Sequence, residues 1–182
     1  MLKIELRLKP TATGKQALTD WPNTTFSPDF KHATAGLARF ELDNQLIGIM
    51  ADGNQPCATT TDHLNAKQIN AWLPDYLGGL AFNLAEAALK LKTSGESQIA
   101  QFIDEPLRLQ LEKDKDGLSM VAISFWHEQN KLAKSEVHQL VVMAEIGRAL
   151  QDFMVQLLNY NPRLREQEDV KWLREQIVQL VS

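Results

Sequence analysis

Leu107-Arg108-Leu109-Gln110-Leu111 runs into Glu112-Lys113-Asp114-Lys115-Asp116-Gly117, and the chain resumes as Leu118-Ser119-Met120-Val121-Ala122-Ile123-Ser124-Phe125-Trp126. Side chains alternate faces along a strand, so the three leucines of the first segment line one buried face while Arg108 and Gln110 point away. The charged stretch ending in Gly117 supplies a turn. The return segment is apolar at Val121, Ile123 and Phe125 and again at Met120, Ala122 and Trp126, a pattern that predicts a central strand covered on both sides. This hairpin commits the chain to an antiparallel sheet, and Ile99 to Ile103 reads as a short strand beside it.

The same period of two recurs upstream. Leu2, Ile4, Leu6 and Leu8 alternate with Lys3, Glu5, Arg7 and Lys9, a half-buried N-terminal strand. Ala38, Phe40 and Leu42 alternate with charged residues, and Asp43-Asn44 tolerates the positive φ of a tight turn before Leu46-Ile47-Gly48-Ile49-Met50, which predicts a hairpin over 37–51. Between these, residues 10–35 carry Pro10, Gly14, Pro22 and Pro28 among Thr, Ser and Asn. They read as a surface connection pinned to the core by Trp21, Phe26 and Phe30.

Two long segments switch to helical spacing. From Ile69, the positions Trp72, Leu73, Tyr76, Leu77, Leu80, Leu84, Ala88 and Leu91 predict an amphipathic helix, divided by Pro74 into a lead-in and a main helix that ends at Thr93-Ser94-Gly95. Downstream, Ser135 is a candidate cap for a helix with Leu140, Met143, Gly147, Leu150, Met154 and Leu157 on one face. Its polar stripe is His138, Glu145, Arg148 and Asp152, with Glu145–Arg148 and Arg148–Asp152 spaced to pair. Asn161-Pro162 restarts a final helix with Val170, Leu173, Ile177 and Leu180 along one stripe. The predicted class is α+β: an antiparallel sheet built from an N-terminal strand and two hairpins, packed against two long helices and a C-terminal helix, in one domain over 1–182.

Composition narrows the function. The 182 residues include 19 Lys+Arg and 23 Asp+Glu, a net charge of −4 spread along the chain, which argues against a nucleic-acid or anionic-membrane surface. No apolar run reaches the roughly 20 residues of a membrane span, and the alternating N-terminus has no signal-peptide core. A single cysteine, Cys57, forms no intrachain disulfide, which suits a reducing, cytoplasmic compartment.

Motifs that carry chemistry are near misses. Glu112, Asp114, Asp116 and Gly117 imitate the start of a calcium loop, but Ile123 stands where its bidentate glutamate belongs. Gly14-Lys15 lacks the first glycine of a phosphate loop, Ser119 lacks the second glycine of a nucleophile elbow, and His127-Glu128 has Lys131 where a zinc-binding histidine is needed. No cofactor and no metal are expected. The best catalytic candidates are Cys57 with His63, oriented by Asp62, because an adjacent imidazole can generate a nucleophilic thiolate. The candidate partner-binding residues are Glu112, Asp114 and Asp116, as an acidic turn for a basic partner, and Trp172, as an aromatic anchor. The favoured reading is a non-enzymatic protein acting through contacts with a protein partner or with itself. Its likeness to small immunity proteins and secretion chaperones lies in size and charge alone. The alternative is an enzyme or small-molecule binder with a dispersed site that uses Cys57 and His63.

Overall fold

The computed structural model describes residues 1–23, 33–50, 56–60, 69–104, 106–113 and 119–182. The strands are β1 (Leu2–Leu8), β2 (Ala35–Leu42), β3 (Gln45–Met50), β4 (Pro56–Thr60), β5 (Ile69–Asn70), β6 (Leu73–Tyr76), β7 (Gln98–Gln101), β8 (Leu107–Lys113), β9 (Met120–His127) and β10 (Asn130–His138). The helices are α1 (Ala12–Asp20), α2 (Leu77–Ser94), α3 (Gln139–Tyr160) and α4 (Glu168–Val181), with a 3-10 turn at Pro162–Glu166. The fold is α+β, with the expected N-terminal strand, both hairpins, two long helices and C-terminal helix in place. No described helix is long and apolar enough to cross a membrane.

The strands divide into two antiparallel sheets. In the first, the order is β1-β2-β3-β4, and β2 turns into β3 through Asp43 and Asn44 at φ 49° and 63°, the conformation their side chains tolerate. Beyond Phe40↔Ile47 the two strands part. The chain from 69 to 76 fills the fork, β5 pairing with β3 and, after a turn held by Trp72 N–H on Asn70 Oδ1 at 3.2 Å, β6 pairing with β2. In place of the predicted lead-in helix stand two short strands that pair with different neighbours, because Pro74 lacks the N–H that a helix interior needs and here lies opposite Leu37. The second sheet is a meander in the order β10-β9-β8-β7.

One continuous core joins both sheets to α2, α3 and α4. Phe40 of the first sheet packs on Phe125 of the second and on Phe102, with ring centroids 5.4 and 5.1 Å apart. Buried Asp75 ties the junction together. Its carboxylate accepts backbone N–H groups from Tyr76 at 2.8 Å and from Ile103 and Asp104 at 3.0 Å.

The polar stripe of α3 has a structural use beyond its ion pairs. Arg148 does pair with Glu145 and Asp152, at 2.7 and 2.6 Å. The same face also lies along the open edge of β1. Glu145 accepts the N–H of Ile4 at 2.6 Å, Arg148 donates to the carbonyl of Ile4 at 2.5 Å, and Gln156 accepts from Leu8 N–H at 2.8 Å while donating to Leu6 O at 2.7 Å. Side chains of a helix thus replace the missing neighbour strand, which removes an edge otherwise open to intermolecular pairing.

Three further segments depart from the sequence reading. Residues 12–20, expected in a surface connection, form α1, where Thr11 Oγ1 accepts from Gly14 N–H at 3.1 Å and only Gly14, Ala17 and Leu18 are buried, too short a stripe to read as periodic. Trp21 does pack on the core, while Phe26 and Phe30 lie outside the described residues. Residues 130–138 form β10, so α3 begins at Gln139 with His138 as its cap, and Ser135, the expected cap, donates its hydroxyl hydrogen to Asp43 from within the strand. Finally, β9 is central as predicted, with Val121, Ile123 and Phe125 fully buried on one face; on the other, Ser124 is buried and Met120, Ala122 and Trp126 are half-buried, and no described element covers that face.

Candidate functional site

That open face is ordered into rungs by the strand register. Gln101, Arg108, Trp126 and Lys131 stand opposite one another on β7 to β10, followed by Ile99, Gln110, Ser124 and Lys134, and then by Glu112, Ala122 and Glu136 on the three longer strands. Directly opposed residues share a face, and successive rungs lie two residues, roughly 7 Å, apart. Ile99, Gln101, Glu112, Lys131, Lys134 and Glu136 are exposed, and Arg108, Gln110 and Trp126 are half-buried between them.

Trp126 is the anchor of the face. Its indole N–H donates to Ser124 Oγ at 2.9 Å, which fixes the ring orientation. The Arg108 guanidinium carbon lies 5.4 Å from the ring centroid and Lys131 Nζ 4.6 Å, so cations from both neighbouring strands engage the same ring. Among the described residues no carboxylate pairs with Arg108, Lys131 or Lys134. Arg108 Nε is buried without a hydrogen-bond partner. A buried donor left unpaired is costly. The opposite end of the face is acidic, with Glu136 exposed and Glu112 accepting from Gln110 Nε2 at 2.7 Å.

The first sheet carries a superficially similar cluster whose charges are already matched. Arg7 and Arg39 approach the Trp72 ring at 3.9 and 6.0 Å, and both arginines contact Glu5, at 3.9 and 3.8 Å. Burial alone would push the Glu5 carboxyl up, but Lys3, Arg39 and Arg7 outweigh it and hold the pKa below the ordinary value. The grooves are similar in kind. One of about 420 Å³ is lined by Thr19, Trp21 and Asn161, whose carboxamide is spent on the carbonyls of Leu18, Thr19 and Trp21 and on Arg163 N–H. Another of about 470 Å³ is lined by Glu145 and Arg148, the side chains that close the β1 edge.

The residues singled out from sequence fall in different places. Cys57 sits in β4, not in a connection, half-buried, with its thiol donating to Gly48 O at 3.6 Å. Burial pushes its pKa up, so at neutral pH it is a thiol and not a thiolate. Alkylation by iodoacetamide at pH 7.5 is expected to be slower than for a free cysteine and to accelerate as the pH is raised above the ordinary thiol range. A rate equal to that of free cysteine would show an activated thiolate. Asp62 and His63, the proposed partners of Cys57, lie outside the described residues, as do Asp114 and Asp116. Glu112 is exposed at the acidic end of the open face. Trp172 is half-buried and stacked on Phe82, ring centroids 4.5 Å apart at 7°, and so helps hold α4 on α2. No group of three His, Cys, Asp or Glu side chains that could hold a metal ion occurs among the described residues.

The sequence reading missed Arg108, Lys131 and Lys134. The alternation in β8 already put Arg108 on the face away from the leucines, but Lys131 and Lys134 gain a place beside Trp126 only through β10, which carries no comparable pattern. Comparison of the chain with protein-family models, with curated proteins and with solved structures finds no match.

Proposed function

We propose that this protein works through a protein contact and not by catalysis, in a reducing, cytoplasmic compartment, and that the contact surface is the open face of the second sheet. The observation that carries this reading is Trp126, held half-buried between two cations that have no carboxylate partner among the described residues. Tryptophan and arginine are the residue types that dominate binding energy at protein interfaces, because they bury large areas and pair with a partner's acids once water is excluded. A rigid four-stranded meander presents them, which keeps the ordering entropy of binding low. The net charge of −4 and the glutamates on the same face oppose a nucleic-acid backbone, leaving an acidic protein surface as the complement. The neutral, hydrogen-bonded thiol of Cys57 gives the enzymatic alternative no comparable support.

A photo-crosslinking amino acid in place of Lys134, used in cells that naturally make the protein, tests this. Protein adducts are expected at position 134 and not at position 90, where Lys90 lies on the wet side of α2, paired with Glu86 at 2.7 Å. Adducts should disappear when Arg108→Glu is added. Equal labelling at both positions, or none at 134, would remove the open face as the contact surface.

A further inference from the structure

We infer that the partner this face fits is a second copy of the same chain; the inference rests on the reading of the open face as a contact surface and names its occupant. The face is polarised along the strands. Arg108 and Lys131 occupy the first rung, Glu112 and Glu136 the third, and each cation shares its strand with the glutamate, β8 for one pair and β10 for the other. Rungs roughly 7 Å apart put the two ends about 14 Å from each other.

Two copies can stack these faces about a two-fold axis lying between them in one of two principal ways. An axis parallel to the strands sets each rung on its own equivalent, so the cationic rungs meet and the arrangement is repulsive. An axis running across the strands at the middle rung reverses the rung order and preserves the strand order. Arg108 then meets Glu112 of the second copy, Lys131 meets Glu136, and the large Trp126 ring meets the small Ala122. Gln110 and Ile99 meet their own equivalents, an amide on an amide and an apolar side chain on an apolar one. Lys134 also meets its equivalent, but it is exposed on the edge strand β10, where salt and solvent screen the like charges. The contact is isologous, made twice by one patch, as two-fold dimers require. Stacked sheets keep their strands within about 30° of each other at about 10 Å, a gap that long Arg, Lys and Glu side chains bridge.

The size of the face sets the strength. Four strands at about 4.8 Å and three rungs at about 7 Å cover roughly 400 Å² per copy, half of the roughly 800 Å² that each partner buries in a standard interface. The dimer is therefore weak, dependent on concentration and sensitive to salt.

Sedimentation equilibrium of the purified full chain tests this. At low salt the mass should rise from 20.5 kDa toward twice that value between about 1 and 500 µM, the range suited to so small an interface, and return to 20.5 kDa in 1 M NaCl. Two variants sharpen the test. The first, Arg108→Glu with Lys131→Glu, makes the face wholly acidic apart from Lys134; the second, Glu112→Arg with Glu136→Lys, makes it wholly basic. Each alone should be monomeric, and an equimolar mixture should form a one-to-one heterodimer, an outcome that also shows both variants to be folded. The inference is overturned if the wild-type chain stays at 20.5 kDa throughout at low salt, or if it dimerises and the mixed variants, each with a wild-type circular dichroism spectrum, do not. A monomeric chain whose position 134 cross-links to a different protein retains the contact surface and replaces its occupant. A monomeric chain with no adduct at 134 removes both.

Discussion

Truncation after Asn161 is expected to yield a chain that does not reach the native fold. The segment removed includes α4, whose Val170, Leu173, Ile177 and Leu180 are 1, 0, 8 and 3% exposed. Burying four such side chains at about 1.5–3 kcal/mol each stabilises the chain by about 6–12 kcal/mol before conformational entropy, comparable with the whole stability of an ordinary domain. An apolar stripe of this kind can cover either its own chain or another copy. The structure places them on α2 and α3 of the same chain. The Trp172 ring lies on Phe82, Lys92 Nζ donates to Gln179 O at 2.7 Å, and Val181 is so close to α3 that a Cβ at Gly147 would come within 2.8 Å of its Cγ1. Deletion would therefore expose apolar surface on α2 and α3 together, and aggregation should accompany unfolding. Far-ultraviolet circular dichroism and light scattering of the truncated chain check this. A monomeric product with the full-length denaturation midpoint would show that α4 contributes nothing.

The second large effect is expected at Asp75. Replacement by Ala removes the acceptor for the Tyr76, Ile103 and Asp104 amides and should cost about 2–4 kcal/mol, since an orphaned donor loses about 1–3 kcal/mol and the Ile103 and Asp104 positions are open enough for water to compensate in part. The same carboxylate makes stability depend on pH. Burial raises the Asp75 pKa, the three amide donors offset this in part, and the net position is above the ordinary carboxyl value. The folded state then holds the Asp75 proton more tightly than the unfolded state. Its contribution to stability consequently rises as pH falls through the raised value and levels off below the ordinary one. Asp75→Asn, which does not titrate, provides the reference: the difference in unfolding free energy between wild type and variant should move in favour of the wild type between pH 7 and about pH 4. A difference that is flat across this range, or that moves in favour of the variant, would contradict the assignment.

Local pattern carried much of the architecture. Alternation in Leu2–Leu8, Ala38–Leu42 and Leu107–Phe125 marks strands, and three- and four-residue spacing from Leu77 and from Leu140 marks helices, because each segment must turn a continuous apolar face toward some core. The ion pairs of Arg148 with Glu145 and Asp152 were legible for the same reason, being set by helical spacing alone. The pattern does not name the surface that each face meets. That β1 closes against α3 through Glu145, Arg148 and Gln156 depends on groups 141 to 150 residues apart in the chain, and nothing local distinguishes those side chains from a solvated stripe.

The same limit governs the candidate site. Trp126 and Trp172 are chemically identical and both half-buried, yet one stacks on Phe82 between two helices and the other stands on a sheet face between Arg108 and Lys131. Trp126 meets its cations because β8, β9 and β10 pair in one particular register, and a slip of a single residue would send these side chains to the opposite face. Periodicity marks which side of a segment is apolar, whereas the identity of a neighbour across a sheet follows from pairings between distant residues. The elements of this protein are therefore written in short stretches of its chain, and its charged, aromatic face arises only when those stretches are assembled.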